Sequence, residues 1–292
     1  PSHATMLVAK GNNISSFGSQ WLDYDGQNNL MLTQLVELDL SDNLLVSIPR
    51  YLPDELLKLD LSNNRLRSLN DHFQNLHWLQ TLRLDRNMIE TILPNSRLPS
   101  AITITATHNM LKSLHWLPIG HTVSNQHYPQ VAQVNVSFNP LTEIHLNTNN
   151  EDVEYGMMDI RSAGVHLLNV SSTITFGTLI ARNNSINSLI HFQPDSVSTL
   201  DMARNLIPAL EHCQRFMQHV STLDLSNNYI NSISKNQFCG TTGRISDLRE
   251  LNLAFNELKN ITINESAWKG LEYINLKGNK LETRNIFFDN EI

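Results

Sequence analysis

The hexapeptide LDLSNN occupies residues 59–64 and returns unchanged at 223–228, while LDLSDN at 38–43 differs from it by one residue. Each copy sits inside a longer frame, L-x-x-L-x-L-x-x-N-x-L-x-x-L. Leu56, Leu59, Leu61, Asn64, Leu66 and Leu69 fill that frame, and so do Val220, Leu223, Leu225, Asn228, Ile230 and Ile233. It also fits around Asn43, Asn87, Asn139, Asn205 and Asn256, and more loosely around Asn12, Asn109, Asn184 and Asn279. A degenerate copy has Ala163 where the asparagine belongs. Twelve key positions result, mostly 21 to 24 residues apart, with longer steps of 31, 30 and 28 before Asn43, Asn139 and Asn256. A regular period of this size marks a solenoid.

The L-x-L pair is a short strand of period two, with its leucines on one face and the intervening residues on the other. One repeat cannot bury its own leucines, whereas stacked repeats bury a continuous core. The asparagine amide carries donors and an acceptor, so inside the turn it satisfies backbone groups that burial would leave unpaired. The leucines and asparagines are therefore read as architecture, and Ala163 as a repeat whose backbone groups find another partner.

The frame resembles the leucine-rich repeat family over nearly the whole chain, 1–292, read as a single domain. That resemblance implies an α/β repeat fold of about 12 repeats: a leucine-rich repeat solenoid curved into a horseshoe, with a parallel inner sheet and an irregular or short-helical convex side. Variable repeat length, many glycosylation sequons and the LDLSxN phrasing are most similar to animal extracellular members, Toll-type receptor ectodomains and secreted invertebrate immune proteins. Their cysteine-rich caps are absent, so the segment is expected to belong to a longer chain.

Composition narrows the function. The chain has 292 residues, 40% hydrophobic, with formal net charge −7. No concentrated Lys/Arg face is present, which argues against nucleic acid. No apolar run reaches the ~20 residues of a membrane span, and no signal peptide opens the sequence. Asn-x-Ser/Thr occurs at Asn13, Asn135, Asn169, Asn183, Asn260 and Asn264, so N-linked glycans and a secreted or cell-surface location are expected. Cys213 and Cys239 fall in adjacent repeats and are read either as one disulfide or as two buried thiols. Phosphate loops, nucleophile elbows and zinc-protease motifs are missing, so neither an enzyme, a cofactor nor a bound metal is predicted. His115, His121 and His127 share an insertion with no cysteine or carboxylate beside them, which makes a poor metal set.

Binding residues are sought where the core does not dictate identity. On the inner face these are Arg83, Arg86, Phe138, Asp159, Arg161, Arg182, Asp201, Arg204, Phe255 and Tyr273. Arg161, Arg182 and Arg204 come from consecutive repeats at similar strand depth and are expected to cluster, with Asp159 and Asp201 neutralising them. Trp116 and Tyr128, in the insertion His115–Gln130, are candidate anchors for a partner. Asn135 falls on the inner face, so a glycan there would direct a partner to an end, an edge or the convex side. The resemblance implies a protein partner: another leucine-rich repeat protein, a receptor or a secreted ligand, or a second copy joined through an end or edge. Its finer implication is innate immune recognition. A cell-adhesion or developmental receptor ectodomain is the alternative. An intracellular scaffold or bacterial effector is a third reading, prompted by the I-P-x-x-L-P phrase at 48–53.

Overall fold

The structure, a computed structural model, describes residues 3–16, 24–25, 29–30, 34–49, 52–69, 73, 76–92, 103–117, 131–147, 152–211, 215–234, 237, 247–264, 268–283 and 286–289. At 24–25, 29–30, 131, 263–264 and 287–289 it describes the backbone alone. The chain divides into two compact units, Pro1–Pro140 and Leu141–Ile292.

In residues 1–140, six inner strands run parallel: Met6–Val8, Glu37–Asp39, Lys58–Asp60, Thr81–Arg83, Thr103–Thr105 and Val131–Asn135. Their register aligns Leu7, Leu38, Leu59, Leu82, Ile104 and Val134 in one column. From Leu38 onward that column is fully buried. This is the period-two pattern made physical, with the frame leucines inward and Glu37, Lys58 and Arg83 outward.

In residues 141–292, six parallel strands also stack: Val153–Asp159, Ile174–Ile180, Ser196–Asp201, Thr222–Asp224, Glu250–Asn252 and Tyr273–Asn275. Met158, Leu179, Leu200, Leu223, Leu251 and Ile274 align. The first two strands reach seven residues because the alternation continues backward, burying Val153 and Tyr155, then Ile174 and Phe176. The rings of Tyr155 and Phe176 stack at 5.7 Å. Beside them two glycines meet: a Cβ on Gly177 would lie 2.5 Å from the Gly156 carbonyl oxygen.

The asparagine ladder binds each repeat to the one before. Asn64 Nδ2 donates to Leu61 O and Ser62 O of its own turn and to Leu40 O of the preceding repeat. Its Oδ1 accepts the N–H of Leu45, also in the preceding repeat. Asn205, Asn228 and Asn256 repeat the pattern in the second unit. At Ala163 the ladder lacks its amide; Asn184 Oδ1 makes its ordinary bond to Val165 N–H and also accepts Ala163 N–H.

Of the irregular or short-helical back expected, the structure takes the irregular form. Among the described residues it holds one four-residue 3-10 turn, Arg215–Gln218, and several short strands. Ser68–Leu69 pairs with Thr91–Ile92 in the first unit, and Glu143–Leu146 with Leu167–Val170 in the second. β-branched residues in Thr91–Ile92, at Ile144 and at Val170 favour extended backbone over helix.

Candidate functional site

The residue before the ladder asparagine is left-handed in every repeat with a described turn. Asp42, Asn63, Arg86, His108 and Phe138 have φ of 53–59° in the first unit, and Ser162, Asn183, Arg204, Asn227 and Phe255 have φ of 54–57° in the second. Glycine fills the same place at Gly11 and Gly278. A non-glycine residue here costs roughly 1–2 kcal/mol. The next repeat enforces the conformation: Arg86 N–H donates to Thr107 O, Arg204 N–H to Ser226 O and Phe255 N–H to Lys277 O. Arg86, Phe138, Arg204 and Phe255 therefore leave the inner strands on a backbone bend shared by all repeats, with exposed side chains.

A second row lies four residues before the ladder position. There Asp39, Asp60, Asn135, Asp159, Asp201, Asp224, Asn252 and Asn275 each accept the backbone N–H two residues on. This side-chain cap ends the strand and lets the chain turn. Where the Thr105 repeat lacks such a residue, Asp85 of the preceding repeat supplies it. Its two oxygens accept from the Thr105 hydroxyl at 2.6 Å and from Thr107 N–H at 2.7 Å.

Several predicted site residues change meaning here. Asp159 is not a partner contact: its side chain is 1% exposed and binds the Arg161 guanidinium, with Nε at 2.8 and 3.0 Å from its oxygens, as well as Arg161 N–H. That hydrogen bond to Asp159 raises the guanidinium's already high pKa further. Trp116 is 4% exposed and, like Leu114 and Leu117, buried, in a turn closed by Leu117 N–H to Leu114 O. It is a core residue, because burying the indole outweighs its display on an insertion. Tyr128, Cys213 and Cys239 lie outside the described residues, as does the side chain of Asn264.

The arginine cluster is partly realised. Arg161 and Arg182 share one row, with Arg182 reaching to 3.7 Å from Asp201, while Arg204 stands one residue further on, in the left-handed turn. Half-burial raises Asp201's pKa, reinforced by the negative charge of Asp224, despite the Ala203 N–H and the two arginines that favour its charged form. Arg83 is exposed and lies 3.8 Å from Asp60. Of the remaining sequons, Asn13 and Asn260 are exposed. Asn183 is exposed too, with Nδ2 donating to Ser162 Oγ, whereas Asn169 lies on a back strand beside His145.

Two exposed aromatic features stand on the inner face. In the first unit Phe138, 45% exposed, stacks on His108 at 4.4 Å. In the second, Phe255 is 50% exposed and Lys277 Nζ lies 5.8 Å from its ring centre. A Cβ on Gly278 would come within 2.6 Å of that ring, so the ring rests on the glycine. Tyr273, 55% exposed, opens the next strand. The first unit also carries a pocket of about 550 Å³ whose lining includes Lys10, Asp42, Asp60, Arg83, Asp85 and Arg86. The Asn63 amide and then Lys10 hold the Asp42 carboxyl below the usual range. Among the described residues no group of three His, Cys, Asp or Glu is arranged to hold a metal ion, and no helix is long and apolar enough to cross a membrane.

Family models described as leucine rich repeat match residues 33–89 and 219–241. The chain is 25% identical to podocan-like protein 1 of Mus musculus over 289 residues, covering 96% of this chain and 45% of that protein. It spans less than half the length of the curated relatives it matches, from 15% to 45%. Among solved structures, the leucine-rich repeat domain of APL1B aligns with TM-score 0.64 at 20% identity, over 97% of this chain and 80% of that one. A structure of the Toll–Spatzle complex, described as a hub in Drosophila development and innate immunity, aligns with TM-score 0.61 at 19% identity, over 94% of this chain and 41% of that one.

Proposed function

Since the chain folds as a leucine-rich repeat solenoid, we propose that it is a non-enzymatic extracellular module that binds a protein through its inner face, in innate immune recognition or in assembly of a complex. The observation that carries this reading is the left-handed turn row. It holds Arg86, Phe138, Arg204 and Phe255 on fixed backbone, exposed, in positions the core does not need. Aromatic and arginine side chains dominate binding hot spots, and groups ordered before binding lose less entropy when they bind. Tyr273 beside Phe255 extends the aromatic surface. Six sequons support secretion, and a Cys213–Cys239 bond would suit the same compartment. The likeness to Toll, described in complex with Spatzle, supports a protein partner by analogy of fold alone.

Affinity capture from extracellular fluid of the source tests the reading. The wild-type chain should retain a discrete protein that the variant Arg204→Ala, Phe255→Ala, Tyr273→Ala fails to retain. Equal retention by both would move the site off Arg204, Phe255 and Tyr273. Intact mass of the native chain, with deglycosylation and thiol labelling, tests the location: a chain without sugar and with two reactive thiols would place it inside the cell.

A further inference from the structure

Just past the ladder asparagine, residues 1–140 order a second exposed strip. In 64–67, 87–90 and 109–112 the side chains alternate: Leu66, Ile89 and Leu111 are buried, and the residues on either side of each face out. Backbone hydrogen bonds stack these segments. Met88 N–H donates to Leu66 O, Glu90 N–H to Arg67 O and Met110 N–H to Ile89 O. Arg65, Met88 and Met110 therefore form one row, and Arg67, Glu90 and Lys112 form the next. Exposed Val46 holds the place of Arg67 in the preceding repeat. Met88 is 40% exposed and Met110 50%. Arg65, Arg67 and Lys112 are exposed, and among the described residues they make no side-chain hydrogen bond or ion pair. Lys10, Lys58 and Arg83 of the same unit each face a carboxylate instead.

The strip joins apolar surface to unspent positive charge, on a chain whose net charge is −7. Methionine's flexible thioether adapts to irregular apolar partners, and free guanidinium and ammonium groups favour carboxylates. Glu90, between Arg67 and Lys112 in its row, interrupts the positive charge and disfavours a uniform polyanion, which would also leave the methionines nothing to bury. We propose that this strip docks an acidic segment of a partner protein in which apolar side chains alternate with carboxylates. Val46, Met88 and Met110 bury the apolar side chains, while Arg65, Arg67 and Lys112 meet the carboxylates. The strip crosses four repeats, roughly 14 Å at ~4.8 Å per step, which about five extended residues span at ~3.3 Å each. It shares no residue with the inner-face site, so each of the two readings can fail alone.

The probe is a blocked peptide alternating aspartate with leucine, titrated into the full chain carrying ¹³C-methyl methionine. An asparagine–leucine peptide and an aspartate–serine peptide are the controls, with heparin and phosphatidylserine vesicles as the competing anionic ligands. The methyl signals of Met88 and Met110, assigned by their loss in Met88→Leu and Met110→Leu, should shift saturably with the aspartate–leucine peptide. Each control peptide should bind severalfold more weakly. Arg67→Gln and Lys112→Gln should each weaken binding about two- to fivefold, the range of an exposed ion pair, and raised salt should do the same. Both side chains lie outside the core, so the urea midpoint should not move. Met110→Ser should weaken binding about fivefold, since half of that side chain remains to be buried. Equal binding of the aspartate–serine peptide would leave the methionines idle, and equal binding of the asparagine–leucine peptide would leave the cations idle; either result overturns the proposal. So does silence of both methyl signals with the aspartate–leucine peptide, unchanged affinity in the Arg67→Gln, Lys112→Gln double variant, or a response to heparin or vesicles alone.

Discussion

Replacing Asn205 separates the two halves of the ladder bond. Its Nδ2 donates to Met202 O and Ala181 O, both at 3.0 Å, and more weakly to Ala203 O, while its Oδ1 accepts Ile186 N–H at 3.1 Å. The site is buried. Asn205→Ala strands one buried N–H, while Ala181 O keeps the Asn184 amide and Met202 O keeps the Asn228 amide as donors. At about 1–3 kcal/mol for an unpaired buried donor, with both carbonyls still paired, the loss is roughly 1–3 kcal/mol. That is a large share of the ~5–15 kcal/mol typical of a folded protein. Asn205→Asp is nearly isosteric and keeps the acceptor for Ile186, yet at neutral pH it turns a carboxylate oxygen toward three carbonyls. It should therefore be less stable than the alanine variant at pH 7 and recover part of the difference at pH 4, where a protonated carboxyl donates again. Urea titration gives the order of stabilities. Hydrogen exchange at the Ile186 amide gives the local effect: protection should collapse in the alanine variant and persist in the aspartate one. An aspartate variant at least as stable as the alanine variant at pH 7 would refute the claim that the donor side of the amide carries the ladder.

Three further outcomes are expected. Gly278→Ala forces an L-residue into φ +71 and a methyl onto the Phe255 ring, costing roughly 2–3 kcal/mol. In a Phe255→Ala background only the backbone share, about 1 kcal/mol, should remain, so a double-mutant cycle showing additivity would dismiss the ring contact. Gly177→Ala sets its Cβ against the Gly156 carbonyl with no flexible side chain to yield; a loss of at least about 2 kcal/mol is expected in chemical denaturation. Asp201 has a raised pKa in the fold, so between its ordinary value, 3.8, and the folded one the unfolded chain releases the proton first. Stability therefore falls as pH rises through that window and stays lower above it. Asp201→Asn keeps the acceptor for Ala203 N–H, as Asn252 does for Ala254, and should remove that slope, matching or exceeding wild type at pH 7. Lower stability there would show that the ion pair with Arg182 outweighs burial.

The rows displayed for binding were half legible. Arg86, Phe138, Arg204 and Phe255 stand out because they break the small polar phrasing of S-x-N. Their shared left-handed backbone does not, since Asp42, Asn63 and Ser162 adopt the same bend. Asp39 and Asp60, by contrast, look like free surface carboxylates, yet each is engaged with the backbone two residues on. The recurrence of aspartate or asparagine four places before the ladder position was the available signal. Trp116 reads as surface because it stands beside His115 at the start of an insertion, whereas the structure buries it in the same turn as Leu114 and Leu117.

The sequence by itself determined the parallel inner strands, the buried leucine column and the asparagine ladder. Each repeat meets the same local constraint, so periodicity alone reveals it. The tertiary structure alone decided which side chains remain free. Asp85 caps the following repeat, Asn184 reaches back to Ala163, Asp159 holds Arg161 and Phe255 lies on Gly278. Three of these four partners stand 20 or more residues away along the chain, and in those three the contact is set by stacked strands about 4.8 Å apart, a spacing that no single repeat encodes.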